Sequence, residues 1–291
     1  IYYDVCQIHF LNPIYAKIAD RLKKISRKVV ITPWGSDVLR AKKYQLRGLR
    51  KLVQKSNWVT CTQGSRFEKD IVTLLDIPKE KLYNLPIGIA SIDEILSRPF
   101  ITDEQAKRVW GFEGKYVIVI GYNGSPAHNH IKVIKSLVFM KKQLPTNTIL
   151  VCPMTYGGNP VYRKKIKRLL WNSQFENQIL ENYLTAEELV CLRKATDLFI
   201  HAQNTDANSG TIAEYLLCRK KIVNPTWITY PHYETYGSPF YSFSNFEELP
   251  QAIMKAINDT SNKVSPLLTG NISESGWSKL ACKWVELYKK Y

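Results

Sequence analysis

Short apolar runs rich in Val and Ile recur along the chain, with amphipathic segments between them. Four runs come first, at residues 5–10, 29–32, 58–62 and 82–86, and six follow at 116–121, 148–153, 178–180, 198–201, 221–224 and 240–243. Buried parallel strands have this continuous apolar character, and helices connect them. The pattern therefore predicts an α/β protein with two doubly wound, Rossmann-like units, each a parallel sheet covered by helices on both faces.

The alternation is interrupted between residues 88 and 114, where Pro, Ser and charged residues precede the strand-like KYVIVIG. In this interval, residues 103–110 have the pattern of a helix that leads into the second unit. Apolar positions return at helical spacing after residue 276, which predicts a closing helix with another surface to cover. We divide the chain into a first unit of residues 1–100, a second of 101–275 and a closing helix of 276–291. Because the chain opens directly in strand-like sequence, we expect the first unit to be incomplete.

The composition gives the net charge of the protein and indicates the cellular compartment in which it works. The 291 residues include 41 Lys and Arg against 25 Asp and Glu, a net charge of +16 that attracts phosphates of nucleotides, nucleic acids or lipid headgroups. No nucleic-acid-binding motif is present, so we do not predict that partner. Six Cys residues without close spacing indicate free thiols in a reducing compartment and no metal site. No secretory signal or membrane-spanning stretch is visible, so we expect a cytoplasmic protein.

One basic segment, residues 42–55, has Leu and Val interleaved at helical spacing and predicts an amphipathic helix. Two interpretations stay open for it. The basic side chains can form a solvated helix face, or they can dock on an anionic membrane surface.

The segment TDANSGTIAEYLLCRKKIVN, residues 205–224, has the strongest chemical pattern. A polar loop carrying Asp206 leads into a helix, and Glu214 lies eight positions later in that helix. Ser209 can cap the helix, Gly210 lets the backbone approach a ligand, and the N–H groups around Thr211 favour an anion such as a diphosphate. The alternative is that both acids merely decorate a capped surface helix.

Other strand ends supply further candidates. Gly121, Asn123 and Gly124 follow a strand, so their loop either brings N–H groups to a diphosphate or forms an ordinary tight turn. Lys132 is the nearest candidate to neutralise that diphosphate, with Arg163 and Lys164 as alternatives. A second strand-end loop, 154–158, begins at Met154, where open α/β sheets bind ligands.

Taken in order, these segments resemble the retaining, nucleotide-sugar-dependent glycosyltransferases with the GT-B fold, two Rossmann-like units facing across a cleft. In the second unit the resemblance lies in VIVIGYNG, ILVCPMTYGG, ENYLTAEELVCLRKATDLFIH and the acid-bearing loop and helix. In the first unit it lies in YDVCQIHF, VVITPWGSDVLR and NWVTCTQGSRFEKDIV, with Trp34 where the family has a histidine. The second unit is also similar to bacterial acetamido-dideoxygalactose transferases that act on polyprenyl-diphosphate-linked sugars.

The resemblance implies roles for individual residues. Asp206 would contact the donor sugar or its developing oxocarbenium, and Glu214 the ribose. His9, paired with Asp37, would serve catalysis at the acceptor side, and Tyr183 lies where the family holds the nucleobase. It implies a nucleotide sugar as donor, a glycan or lipid-linked acceptor at the inner membrane face, surface polysaccharide synthesis, no cofactor and no metal. The alternative function is a non-catalytic GT-B-like subunit that binds a glycan, a nucleotide or a partner enzyme.

Overall fold

The structure is a computed structural model that describes residues 1–290. Its first sheet contains four parallel strands in the order β1 (Tyr3–His9), β2 (Ser26–Thr32), β3 (Trp58–Cys61) and β4 (Leu82–Asn84). The connections hold helices α1 (Ile14–Ile25), α2 (Ser36–Leu39), α3 (Lys43–Lys55) and α4 (Arg66–Leu75), and a 3₁₀ turn at Lys79–Lys81. Apolar side chains of these helices and of β1 to β3 form one buried core.

Two helices, α5 (Ala90–Leu96) and α6 (Asp103–Trp110), follow the first sheet. A capping box between Thr102 and Gln105 begins α6 where the charge and apolar pattern predicts it. Ile92 of α5 and Ala106 of α6 are buried in the core of the second sheet, not of the first. The division of the chain at residue 100 stays a prediction.

The second sheet has six parallel strands in the order β10-β9-β8-β5-β6-β7. These strands are β5 (Tyr116–Ile120), β6 (Thr148–Pro153), β7 (Glu176–Leu180), β8 (Leu198–Ile200), β9 (Lys221–Pro225) and β10 (Phe240–Phe243). The helices that follow are α7 (His130–Phe139), α8 (Pro160–Asn172), α9 (Ala186–Ala195), α10 (Gly210–Leu217), α11 (Pro231–Glu234), α12 (Leu249–Asn258) and α13 (Pro266–Ser273), with 3₁₀ turns at Pro126–His128 and Lys141–Gln143. Separate apolar cores lie on the two faces of the sheet, because the strands point apolar side chains to both.

The prediction of two parallel α/β sheets is confirmed, and all ten predicted strands are present. The largest difference is at β2, which begins at residue 26 rather than 29, and β7 likewise begins at 176 rather than 178. Polar residues occupy these extensions, so an apolar-run criterion misses them. Within residues 1–290, no helix has the length and apolar character needed to cross a membrane.

The last helix, α14 (Trp277–Lys289), packs against the first sheet. Leu280, Trp284 and Leu287 share a buried cluster with Val30 and Leu85. The Trp284 indole N–H donates to the carbonyl oxygen of Pro86 at 3.1 Å. The end of the chain thus returns from the second sheet and covers the first.

We expect Trp284→Ala to lower the free energy of unfolding by about 3 to 5 kcal/mol, because it removes a side chain that is only 3% exposed from this cluster. Val285→Ala, on the exposed side of the same helix, should change it by less than about 0.5 kcal/mol. Urea denaturation of both variants measures the difference. Equal effects would show that α14 is not anchored by this contact.

Candidate functional site

A cleft of about 380 Å³ lies between the carboxyl ends of the two sheets. Its lining comes from the ends of strands and the loops that follow them: Thr32, Pro33, Trp34, Thr60, Cys61, Thr62, Phe67, Leu85, Pro86, Ile87, Gly88, Ile89, Tyr122, Tyr156, Asp206, Ala207, Asn208, Ser209, Gly210, Thr211 and Glu214. Open α/β sheets bind ligands at this position, and cavities of about 300 to 1,000 Å³ hold small molecules. The cleft is therefore the candidate functional site.

Asp206 lies in the cleft wall, in the loop after β8, and its carboxylate is held by its neighbours. One oxygen accepts a hydrogen bond from the Tyr230 hydroxyl and lies 3.5 Å from Nε2 of His201. The other accepts from the backbone N–H of Ala207 at 2.9 Å. Burial, followed by the nearby Asp206 carboxylate, raises the pKa of Tyr230 well above its usual value, so the hydroxyl stays a donor. Asp206 is thus fixed in one orientation.

His201, at the end of β8, belongs to the support of that carboxylate. Its Nδ1 lies 2.8 Å from Oδ1 of Asn224, and its Nε2 lies 3.3 Å from Oε1 of Gln203. The side chain is fully buried, so a bound ligand would meet Asp206 before it met His201. This favours a structural role for the histidine.

Helix α10 begins at the cleft with free backbone donors. Ser209 precedes it, yet its side chain makes no capping hydrogen bond. The first N–H groups of the helix, at Gly210 and Thr211, line the cleft and carry the positive end of the helix dipole. The side-chain cap that the sequence predicted at Ser209 is therefore not formed.

Glu214 is engaged within the protein. Its Oε2 accepts from Nε of Arg193 at 2.6 Å, and its Oε1 accepts from the Ser91 hydroxyl. The two side chains of the ion pair are 7% and 8% exposed. Nη1 of Arg193 also donates to the Tyr215 hydroxyl at 3.1 Å. Glu214 therefore ties α10 to α9 while one side of it contributes to the cleft.

The first unit contacts the Asp206 loop directly. Nε of Arg40 donates to the Thr205 hydroxyl at 2.9 Å, and the Asn208 amide donates to the Thr62 hydroxyl at 3.2 Å. Gly35 has a φ of +114°, and a Cβ on it would lie 2.5 Å from Cβ of Ala207. Only glycine allows this approach.

The predicted diphosphate loop packs against the loop after β6. Gly121 has a φ of +63°, and the backbone N–H of Gly124 donates to the Tyr156 carbonyl at 2.7 Å. Asn123 is buried and accepts from the Ser125 N–H at 2.8 Å. Gly121, Asn123 and Gly124 do not line the cleft, whereas the neighbouring Tyr122 does. The loop forms a turn, as the alternative interpretation had it, and its role with a ligand stays a prediction.

Two buried histidines lie directly behind this loop. A Cβ on Gly121 would come within 3.0 Å of Nε2 of His130 and 3.2 Å of Cβ of His128. Nδ1 of His130 lies 3.2 Å from the Tyr162 hydroxyl. Burial lowers the pKa of His130 to about 4 and that of His128 well below its usual value. Both imidazoles are therefore neutral near pH 7.

Three other predicted site residues, Lys132, Met154 and Tyr183, lie outside the cleft lining. The ammonium of Lys132 is 4.3 Å from the ring centroid of Phe246, and Met154 is fully buried in the core. Tyr183 is exposed and stacks on Tyr156, with ring centroids 6.2 Å apart. Tyr183 thus contacts a residue of the cleft lining, while Lys132 and Met154 are not part of that lining.

His9 lies at the end of β1, and its Nδ1 accepts from the Trp34 indole N–H at 3.3 Å. Asp37 has a different set of partners, since its carboxylate accepts from the N–H groups of Leu11, Trp34 and Gly35 and so shapes their turn. Burial raises the pKa of Asp37, and these backbone bonds oppose that rise. Trp34 is the neighbour of His9 that lines the cleft.

The charges around the cleft have an uneven distribution. Asp206 and Glu214 are the charged residues of its lining within residues 1–290, and no Lys or Arg is among them. Two arginines approach from outside, Arg40 at Thr205 and Arg163, whose Nη2 donates to the Gly157 carbonyl at 2.9 Å. A bound diphosphate would therefore rely on backbone N–H groups in the cleft itself.

Comparison of the whole fold with solved structures gives consistent neighbours, although no family model and no curated protein sequence matches the chain. A glycosyltransferase from Rickettsia africae is similar at a TM-score of 0.75 and 17% identity, over 99% of this chain and 76% of that chain. Sucrose-phosphate synthase from Thermosynechococcus elongatus is similar at 0.73 and 13%, over 99% and 73%. HepE of Anabaena, solved with UDP and glucose, is similar at 0.74 and 15%, over 98% and 78%.

The chain has the GT-B fold. The fold expected from the sequence resemblance is thereby confirmed. In GT-B terms, β8, the Asp206 loop and α10 lie on the second unit, and the turn at Gly35 faces them from the first.

Sequence reasoning missed Arg193, Ser91 and Tyr230, which bind the two acids. They lie 21, 123 and 24 positions from their partners, so no local spacing relates them. Only the GT-B packing brings them together.

We expect acidification from pH 6.5 towards about 4 to destabilise the protein, because the unfolded chain gains protons on histidines that stay neutral when buried. His130→Phe should remove one such group and reduce the loss by the order of 2 to 3 kcal/mol. Tyr162→Phe removes the partner of His130 and keeps the imidazole, so it should retain the full pH dependence. Urea denaturation at pH 6.5 and at about pH 4 measures the loss of unfolding free energy for each protein. A pH dependence in His130→Phe equal to that of the unmodified protein would contradict the conclusion that His130 is buried in its neutral form.

We also expect the Arg193 and Glu214 side chains to be strongly coupled. Arg193→Met and Glu214→Leu should each lower the free energy of unfolding by about 3 kcal/mol or more, since each leaves a buried charge without its partner. The double variant should cost less than the sum by about 2 kcal/mol or more. Urea denaturation of the unmodified protein, the two single variants and the double variant gives the double-mutant cycle. If the losses of the two single variants simply add in the double variant, the side chains are not coupled.

Proposed function

We propose that the protein is a glycosyltransferase that moves a sugar from a nucleoside diphosphate to a glycan or polyprenyl-linked acceptor. The observation that carries the proposal is the juxtaposition of Asp206 and Glu214 with the uncapped start of α10 in one cleft. A helix N-terminus binds phosphate, and a carboxylate beside it can bind sugar hydroxyls. A nucleotide sugar presents both groups within one molecule.

The geometry suits departure of a nucleoside diphosphate. Negative charge develops on the leaving phosphate oxygen, and the N–H groups of Gly210 and Thr211 are already oriented to receive it. Asp206 is held by Tyr230 and Ala207, so its carboxylate can stabilise a developing oxocarbenium without reorganising. Both carboxylate oxygens of Glu214 already accept hydrogen bonds, from Arg193 and Ser91, so ribose hydroxyls would have to use their remaining lone pairs.

The donor class is proposed from a structural neighbour, and the acceptor and biological role from the sequence resemblance. HepE of Anabaena was solved with UDP and glucose, which makes UDP-sugars the first donors to test. Retention of configuration, a polyprenyl-linked acceptor and bacterial surface polysaccharide synthesis follow from the sequence resemblance. These features give the protein a place in the cytoplasm, on the inner face of the membrane. Within residues 1–290 no three His, Cys, Asp or Glu side chains are grouped as metal ligands, and transfer without a metal stays a prediction.

A second function is favoured by one observation. The described cleft lining holds two acids and no cation, which is an unusual environment for a leaving diphosphate. A non-catalytic subunit that binds a glycan, a nucleotide or a partner enzyme would not need that cation. Release of nucleoside diphosphate separates the two functions.

The first experiment is a titration with UDP-, GDP- and dTDP-sugars, following thermal stabilisation and release of nucleoside diphosphate. A transferase is stabilised by one nucleotide class and releases the diphosphate slowly, and faster with acceptor. Stabilisation without release, also with lipid-linked acceptors, supports the binding subunit. No response to any nucleotide would exclude the transferase and a nucleotide-binding subunit.

The matched variant is Asp206→Asn, which removes the charge and keeps the shape. We expect diphosphate release to slow by about a hundredfold, while the dissociation constant for the nucleotide changes little. Asp70→Asn removes a carboxylate that pairs with Arg66 on the surface of α4 and should leave both quantities unchanged. Release by Asp206→Asn at the rate of the unmodified protein would remove Asp206 from the mechanism.

A further inference from the structure

One part of the second unit carries positive charge without any acidic residue. From residue 114 to 175 the sequence contains no Asp or Glu and ten Lys or Arg. This stretch includes α7 and α8, which pack against one another on the same side of the second sheet. A basic surface without acids attracts an anionic partner more strongly than the net charge alone would.

Five of the exposed positions of α8 form one stripe. Val161, Lys164, Lys165, Arg168 and Trp171 follow one another at intervals of three, one, three and three residues, which keeps them on one side of a helix. All five are exposed. Three cations therefore lie between two apolar side chains along the length of the helix.

Helix α7 continues this surface. Lys135 and Phe139 are exposed and lie four residues apart, and Lys142 follows in the next turn. The ends of the two helices are joined, because Lys141 donates to the carbonyl oxygens of Ser173 and Gln174 at 3.3 and 2.6 Å. Phe139 and Trp171 thus project from the same end of the surface, 83% and 85% exposed. We name the surface formed by these eight exposed residues of α7, α8 and the 3₁₀ turn at Lys141–Gln143 the acid-free face.

Few of its charges are neutralised. Within residues 1–290, Lys115 pairs with Glu176 and Lys167 with Glu181, and both lie beside the face. In the same described range no ion pair involves Lys135, Lys142, Lys164, Lys165 or Arg168. The cations of the face are therefore available to an external anion.

The sequence left membrane docking open for helix α3. This helix differs from the acid-free face both in its large apolar side chains and in the pairing of its cations. Its apolar residues Leu49, Leu52 and Val53 are fully buried in the core of the first unit. Lys55 and Arg50 pair with Asp20 and Asp76. The solvated interpretation fits α3, because no apolar side chain among the three is left to enter a membrane.

We propose that the acid-free face docks the protein on a membrane that contains anionic lipids, with Phe139 and Trp171 entering the headgroup layer. Exposed aromatic side chains among Lys and Arg are typical of surfaces that bind such interfaces. Lys is depleted in protein interfaces, which disfavours a protein partner. A single-stranded nucleic acid needs a groove between its stacking aromatics, and these two side chains project outward from helix ends.

The stripe begins at Val161, five residues after Tyr156, which lines the cleft, whereas Phe139 and Trp171 lie at the other ends of α7 and α8. Docking would bring the protein to lipid-linked acceptors, and only this consequence rests on the proposed function. Docking itself needs neither nucleotide nor sugar.

The test is cosedimentation of the full chain with vesicles of phosphatidylcholine alone and of phosphatidylcholine mixed with phosphatidylglycerol. We expect binding to the mixed vesicles only, weakening as salt rises. The triple variant K135Q/K165Q/R168Q should reduce the partition coefficient at least about tenfold. The matched control K43Q/R47Q/K51Q removes the same charge from exposed positions of α3 and should retain most of the binding.

A second pair of variants separates insertion from electrostatic attraction. Phe139→Ser with Trp171→Ser keeps every charge and should reduce binding by a similar factor, while the melting temperature stays unchanged because both side chains are exposed. Equal loss in the α3 control, or no binding to mixed vesicles, would overturn the proposal. So would oligonucleotide binding that the face variants abolish while vesicle binding persists. Vesicle binding without any nucleotide response would leave the docking face intact and remove the proposed transferase.

Discussion

The close approach of Gly35 to Ala207 is the constraint on which the cleft depends. The turn after β2 and the loop after β8 come from different sheets, and a single side chain at Gly35 would push them apart. Asp37 holds the turn through three backbone N–H groups, and Arg40 reaches the loop at Thr205. Helix α14 returns to the first sheet, where Trp284 donates to the carbonyl oxygen of Pro86, a residue of the cleft lining. The two units are thus joined beside the cleft and through α14.

The chemistry of the cleft follows from what its polar groups already bind. Asp206 and Glu214 are both held by hydrogen bonds inside the second unit, so neither is a freely moving surface acid. The N–H groups at the start of α10 have no side-chain cap. Positive potential in the cleft lining therefore comes from backbone dipoles, while the cations lie at the rim or on the outer helices. This separation distinguishes the interior of the site from the strongly basic exterior.

The basic side chains on the outside of the protein lie on two kinds of surface, one on α3 and the other on α7 and α8. On α3 the apolar residues Leu49, Leu52 and Val53 face the core and some cations are paired with acids, so its charge serves an ordinary solvated surface. On α7 and α8 large aromatic side chains are exposed among cations without acids in the sequence around them. Two segments with similar basic composition thus present different surfaces. The difference depends on which of their large apolar side chains are buried in the core and which are exposed.

The sequence by itself determined the ten strands, their grouping into two parallel sheets, and the helix at Asp103–Trp110, because buried strands and capped helices leave local patterns. It also predicted that Asp206 and the start of α10 lie together, since a loop acid, a glycine and a helix occur within a few residues, and both line the cleft. Only the tertiary structure decided that Glu214 pairs with Arg193, that Tyr230 holds Asp206, and that Lys132 and Met154 lie away from the cleft walls. These partners are distant in sequence, and contacts between separate elements depend on packing that no local spacing encodes.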